Sequence, residues 1–178
     1  MSIPADLSRC PGCGLQLPEL EAPTPGDVGA SPACWGLYGR LLVGEYTQTP
    51  SPRLHRLTVD AYAAQHPRAE AASSFSALGV HLAGLCLLLE RGASAEETTS
   101  WLGRLLERPP SIRSLERPVA NGTVTVADVI SARNPDERAR LVERWATSVW
   151  DAWRPHHDAV QSWIDGIDRG TNGVHSES

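Results

Sequence analysis

Two cysteines near the N-terminus, in the segment Cys10-Pro-Gly-Cys13-Gly, have the spacing of half a metal site. Two thiolates separated by two residues can bind one tetrahedral ion, and the glycines allow the loop to turn tightly around the sulfur atoms. Redox-active disulfides share this spacing, but their motif opens a helix beside a strand, and no strand is predicted next to Pro11. Two unrelated reduced cysteines are the third interpretation, and we favour the half-site.

A tetrahedral zinc site needs two more ligands. Cys34 is predicted to be the third residue of a helix that Ser31 caps and that begins at Pro32, where the helix N-terminus favours a thiolate. The alternative for Cys34 is a small core residue beside Trp35. Cys86 lies in the apolar segment VHLAGLCLLL and is interpreted as a core thiol rather than a ligand.

The fourth ligand follows from the predicted arrangement of two helices. The helices on either side of the segment TQTPS are expected to form an antiparallel hairpin centred near Pro50. Cys34 precedes that centre by sixteen residues and His66 follows it by sixteen, so both are expected at the same end of the hairpin. His55 would lie about 16 Å from His66 along the helix axis. We therefore choose His66 over His55 and predict a closed, structural Cys3His zinc site.

Three other histidines, His55, His81 and His157, are predicted on or beside apolar helix faces. Three imidazoles from three helices could bind a second metal in the core of a bundle. They could also transfer protons, with Asp60 or Asp158 as the orienting carboxylate. The alternative for each histidine is a core residue with a backbone or tyrosine hydrogen-bond partner, and we favour it.

The elements that would position these residues are nearly all helices. Capping residues, prolines at first helical positions and apolar residues at helical spacing predict helices over 32–46, 52–66, about 74–92, from Ser94 to Pro109, from Thr125 to about Arg133, and from Asn134 to about 164 with a kink at Pro155. The predicted fold class is all-α, a single-domain bundle of about five to six helices with an N-terminal zinc-knuckle loop. The loop spans residues 1–30, the bundle spans 31–166, and a disordered tail spans 167–178.

Composition excludes several classes of function. The 178 residues fit one domain, and a net charge of −5 without a basic stripe argues against nucleic-acid binding. All sixteen cationic side chains are arginine, which excludes a Schiff-base lysine and a phosphate-loop lysine. The longest apolar run, 82–89, is too short to cross a membrane. Without a signal-peptide core at the N-terminus we expect a cytoplasmic protein with reduced cysteines.

The motifs together resemble those of a known family. The segments RCPGCG, SPACWGLYGRLLVGEY, HRLTVDAYAAQHP, GVHLAGLCLLLERG and WATSVWDAWRPHH are similar to an uncharacterised bacterial family catalogued as a domain of unknown function, over about residues 9–163. The resemblance implies no activity. It implies that the following residues of these motifs belong to one common arrangement in the family: Cys10, Cys13, Cys34, His55, Asp60, Tyr62, Gln65, His66, His81 and His157.

Three functional hypotheses follow. The first is a zinc-stabilised helical protein that binds a protein partner or a small ligand. The second is a metal-dependent enzyme that uses the histidine-rich site. The third is a thiol redox sensor that releases zinc when Cys10 and Cys13 are oxidised.

Overall fold

Seven α-helices and one two-stranded hairpin form the part of the chain that the computed structural model describes, residues 6–26, 28–47, 51–68, 77–107 and 115–172. The predicted all-α fold class is confirmed. Within these ranges no helix has both the length and the hydropathy that a membrane span requires. The elements in chain order are β1 (Leu7–Arg9), β2 (Gln16–Pro18), α1 (Pro32–Tyr46), α2 (Pro52–Gln65), α3 (Leu78–Leu89), α4 (Ala95–Glu107), α5 (Val126–Ile130), α6 (Pro135–Ala152) and α7 (His157–Asn172).

The helices begin where the capping residues predict. The Ser31 hydroxyl accepts a hydrogen bond from the Cys34 backbone N–H at 3.3 Å, and the following proline occupies the first position of α1. Ser94 and Glu97 bond each other's backbone N–H groups at 2.7 and 3.1 Å, which completes a capping box before α4. Side-chain caps of this kind bind backbone donors that the helix itself leaves unpaired.

The centre of the molecule is α3, which packs against α2, α4, α6 and α7. Its central leucines, Leu82, Leu85, Leu87 and Leu88, are buried, as expected for a helix that is apolar all round. A close approach between α2 and α3 occurs at Gly84, where a Cβ atom would lie 2.9 Å from Cγ of Asp60. The predicted start of this helix near Ser74 lies outside the described residues.

The long C-terminal helix is interrupted rather than kinked. Helix α6 ends at Ala152, a 3-10 turn covers Arg154–His156, and α7 begins at His157. Pro155 has no backbone N–H to continue an α-helical ladder, which explains the break. Helix α7 also continues to Asn172 because Ile167 still packs against the core. This moves the predicted boundary of the tail at 167, and residues 173–178 lie outside the described ranges.

The N-terminal segment contains regular structure that the sequence analysis missed. Strands β1 and β2 pair antiparallel, with Leu7 opposite Pro18 and Arg9 opposite Gln16, so Cys10 directly follows a strand. Strands of three residues are too short to show an alternating pattern. The motif nevertheless lies in the turn of a hairpin and does not open a helix, so its surroundings still differ from those of redox-active disulfides.

Candidate metal centre

Four side chains from three separate segments converge at one end of the α1–α2 hairpin. The ligand atoms of Cys10, Cys13, Cys34 and His66 all lie within 4.8 Å of one another. Cys34 Sγ lies 3.4 Å from His66 Nε2 and 3.8 Å from Cys13 Sγ. Tetrahedral zinc with bonds of about 2.3 Å to sulfur and about 2.0 Å to nitrogen separates its ligand atoms by about 3.5–3.8 Å. The group can therefore bind a metal ion.

The β1–β2 turn positions the first two cysteines. The Cys10 backbone N–H donates to the Leu15 carbonyl at 2.8 Å, and the Gly14 N–H donates to the Cys10 carbonyl at 2.9 Å. Gly14 has a φ of +79°, in the left-handed region that a glycine adopts without a steric penalty. These bonds bring both sulfur atoms to the same side of the turn.

Ser31 connects the turn to helix α1. Its hydroxyl caps the helix through the Cys34 N–H, and its own backbone N–H donates to Cys10 Sγ at 3.4 Å. Cys34 is completely buried at the start of the helix. The positive end of the helix dipole and the N–H donor both favour negative charge on these sulfur atoms.

His66 directly follows α2, and its ring orientation is fixed from three directions. Nδ1 donates to the Tyr62 carbonyl at 2.8 Å, which leaves Nε2 as the unprotonated nitrogen that faces Cys34. The Tyr62 ring stacks on the imidazole with centroids 4.1 Å apart. On the other side a Cβ atom at Gly12 would lie 2.7 Å from Cγ of His66, so only glycine fits in the knuckle there.

The three thiols of the site share hydrogen bonds and negative charge. Hydrogen bonds from Cys13 and then Cys34 hold the pKa of Cys10 far below its usual range. The hydrogen bond to Cys10 raises the pKa of Cys13 to about 11, and bonds to Cys10 and Cys13 with burial raise that of Cys34. The chain by itself thus stabilises one thiolate. A divalent cation would be needed to hold all three thiolates.

Cys86 lies apart from this cluster. It is fully buried in α3, and burial raises the pKa of its thiol to about 12. A buried thiol of this kind stays protonated and unreactive at neutral pH.

A loop that sequence analysis did not single out also supports the centre. The Asn121 amide donates to the Gly12 carbonyl at 2.6 Å and to the Gln65 carbonyl at 3.2 Å, and Arg117 donates to the carbonyls of Pro11 and Gly12. The Gln65 amide in turn donates to the Asn121 carbonyl at 2.8 Å. These bonds hold the knuckle against the C-terminal end of α2. An irregular loop carries no pattern that would have indicated them.

The three histidines proposed for a second site are not brought together. His55 Nδ1 lies 2.7 Å from a carboxylate oxygen of Glu45, which is buried and also accepts a hydrogen bond from Thr58. His157 stacks on Trp150 with centroids 3.8 Å apart and donates to the Trp150 carbonyl at 2.9 Å. Among the described residues, the Cys3His group is the one cluster of three or more potential ligands with atoms this close together.

His81 makes a different contact, with the carboxylate that the sequence analysis proposed as an orienting group. Its Nδ1 lies 2.8 Å from Oδ1 of Asp60, which is fully buried. The other carboxylate oxygen of Asp60 accepts from Arg56 Nε at 2.8 Å. Asp158, the other proposed carboxylate, is exposed on α7. His55 and His81 thus have carboxylate partners in place of the expected backbone or tyrosine partners, whereas His157 has a backbone partner, as expected.

A cavity of about 150 Å³ adjoins the metal centre between α1, α2 and the start of α3. Its wall includes His66 and Tyr62, which also belong to the metal centre. On the far side it is lined by Trp35, Tyr38 and His81. The ligand cluster and the cavity therefore share a wall.

The family model described as a family of unknown function (DUF5946) matches residues 8–154, and the chain belongs to this family. The match covers the segments on which the resemblance was based, except the last residues of the WATSVWDAWRPHH segment, and confirms it at the level of a family without known activity. No curated protein and no solved structure matches the chain.

Proposed function

We propose that this member of a family of unknown function is a zinc-stabilised binding protein whose adjoining cavity receives a small ligand. In this proposal the Cys3His group holds the N-terminal hairpin against the helices. The observation that carries it is the convergence of four ligand atoms within 4.8 Å, with the measured Cys34–His66 and Cys34–Cys13 separations of 3.4 and 3.8 Å close to those of a tetrahedral site.

The donor set favours zinc over other metals. Three thiolates and one imidazole are soft or borderline ligands, and a tetrahedral group of this composition is typical of structural zinc sites. Calcium and magnesium take oxygen ligands, which the cluster does not supply. Three of the four ligand residues are buried, so a closed site without an open position for water is the better match.

The zinc would join segments that are distant in sequence. It would link the β1–β2 turn, the first turn of α1 and the residue after α2, which are separated by 21 to 56 positions. A hairpin with strands of three residues has little stability of its own. Metal binding would therefore contribute directly to the folding free energy of this end of the molecule.

Two matched cysteine variants test the metal site. Protein purified from cells should contain one zinc per chain by elemental analysis, and Cys34→Ser should lose it and melt at a lower temperature. Cys86→Ala removes a buried cysteine outside the cluster and should retain one zinc per chain. Purified wild-type protein without metal, or Cys34→Ser with full zinc content, would contradict the proposal.

Ligand binding next to the zinc is supported by the shared wall of the cavity. Since Tyr62 and His66 contact the cavity as well as the cluster, the metal would fix the shape of the binding site. The separated histidines give no support to a second metal in the bundle core. Release of zinc by oxidation of Cys10 and Cys13 stays a prediction.

A further inference from the structure

The wall of the cavity beside the metal centre is mainly aromatic and apolar, and its polar side chains include His66, Arg68 and His81. We propose that the cavity binds a small, single-ring aromatic molecule carrying a hydroxyl group, of the phenol class, and that Nε2 of His81 accepts the hydrogen bond from that hydroxyl. This inference rests on the proposed ligand-binding function and names the class of ligand.

The size of the cavity restricts the ligand to about one ring. Cavities of roughly 150 Å³ in other proteins bind benzene, whereas sites for drug-sized ligands measure roughly 300–1,000 Å³. The volume here is about 150 Å³, which is enough for one ring and too small to enclose a nucleotide, a peptide or an extended cofactor.

The wall is suited to a flat ring. Trp35, Tyr38 and Tyr62 form a continuous aromatic group, with Trp35 tilted against both tyrosines at centroid distances of 5.4 and 5.9 Å. Tyr38 and Tyr62 stack at 3.8 Å. Val59 and Leu78 complete the apolar lining. Aromatic side chains favour offset or edge contacts with a further ring, beyond the area they bury.

His81 supplies the polar contact, and its tautomer follows from its partner. The Asp60 carboxylate accepts a bond from Arg56, and a carboxylate can only accept, so Nδ1 of the neutral His81 carries the proton. Nε2 then has a free lone pair, and no partner for it occurs among the described residues. The side chain is 24% exposed and lines the cavity. An unpaired acceptor in an apolar site selects ligands that donate a hydrogen bond.

Asp60 holds this ring in place. It is fully buried, its charge is balanced by Arg56, and the absence of a side chain at Gly84 leaves room for it against α3. The Asp60–Arg56 pair is neutral overall, so it adds no net charge behind the His81 ring. Arg68 also lines the cavity and bonds the carbonyl of Gly26.

Phenol and toluene provide a matched pair of probes, because the hydroxyl of one is replaced by a methyl group of similar size in the other. Toluene is the more apolar and would bind more tightly to a cavity without a polar anchor. With His81 as acceptor, phenol should bind the zinc-loaded full chain about tenfold more tightly than toluene. In His81→Leu, which is apolar and close in volume, the order should reverse. Both affinities can be measured by chemical-shift titration.

The possible results distinguish a failure of this inference from a failure of the proposed zinc site. Toluene binding as tightly as phenol in the wild type, or phenol binding unchanged in His81→Leu, would overturn the inference. No binding of either probe to protein with one zinc per chain would overturn the ligand proposal and leave the metal site standing. If His81→Leu loses zinc or fails to fold, the comparison of phenol with toluene in the wild type still tests the inference. Hydrophobicity alone would favour toluene, so a preference for phenol requires a polar contact.

Discussion

Gly12 has a role at the scale of a single residue that its place in a tight turn did not indicate. The turn itself requires a left-handed backbone at Gly14, whereas Gly12 is needed because the His66 ring packs directly against its Cα. The packing of the knuckle against the fourth ligand thus depends on the absence of one methyl group.

Substitution of this glycine is expected to disturb the metal site. In Gly12→Ala the new Cβ would lie 2.7 Å from Cγ of His66, so the ring must move away from the cluster. We expect unfolding free energy to fall by about 1–3 kcal/mol and zinc affinity to decrease. Urea denaturation and competition with a zinc chelator measure the two effects.

Gly36→Ala is the matched control. Gly36 is exposed within α1, and a Cβ there meets no atom within 4 Å. Replacement of glycine by alanine inside a helix should stabilise the protein by up to about 1 kcal/mol. Gly12→Ala with unchanged zinc affinity would show that His66 tolerates the displacement or is not a ligand.

At the scale of elements, counting residues along two packed helices predicted which residues lie at the same height along the helix axes. It did not predict which side chains are in contact. The rise per residue is the same in both arms of the α1–α2 hairpin, so equal distances from its centre placed Cys34 beside His66. The same argument placed His55 at the opposite end, where it pairs with Glu45. Contacts among the other histidines depend on the rotation of each helix about its axis, which spacing does not determine.

Irregular segments account for the rest of what the sequence did not predict. Asn121 and Arg117 reach the knuckle from a loop more than 100 positions away, and no periodic pattern records such a contact. Strands β1 and β2 are likewise too short to be recognised. Two of the three segments that carry the candidate ligands, α1 and the end of α2, are therefore predicted by helix signals, while the hydrogen bonds that join the segments are not.

Gln65, at the end of α2, forms hydrogen bonds both with the loop at 121–124 and with α6. Its amide N–H groups donate to the carbonyls of Asn121 and Val124, and its carbonyl accepts from the indole N–H of Trp145 at 2.9 Å. Gln65→Leu has a similar volume and leaves these three buried groups without their partner. A buried polar group left without its partner costs about 1–3 kcal/mol, so the loss of all three bonds should lower the unfolding free energy by at least about 3 kcal/mol.

Gln161→Ala serves as the control, because the Gln161 amide bonds Glu90 in an exposed position. Its expected effect is under about 1 kcal/mol. Equal midpoints of urea unfolding for Gln65→Leu and Gln161→Ala would contradict a supporting role of Gln65.

At the scale of the whole molecule, the metal centre adjoins one continuous buried core, most of which consists of contacts among helices. The leucines of α3 and the tryptophans Trp145 and Trp153 are buried far along the chain from the knuckle, in contacts among helices. Trp153 also donates from its indole N–H to the Ala64 carbonyl at 3.0 Å, which ties α6 to α2 just before His66. We therefore expect the core to keep its helical structure without a metal, and the proposed zinc to stabilise mainly the β1–β2 hairpin.

Removal of the metal should destabilise the β1–β2 hairpin more than the helices. A high-affinity zinc chelator should lower the melting temperature and leave most helical signal in circular dichroism, because the helices pack mainly on each other. Trypsin should then cut after Arg9, whose backbone pairs with Gln16 in the intact hairpin, at a rate well above that in zinc-loaded protein. Cys86→Ala with zinc should resist cleavage like the wild type, and restoring zinc should restore resistance. Equal cleavage after Arg9 with and without metal would mean that the hairpin is held by the Asn121 and Arg117 bonds alone.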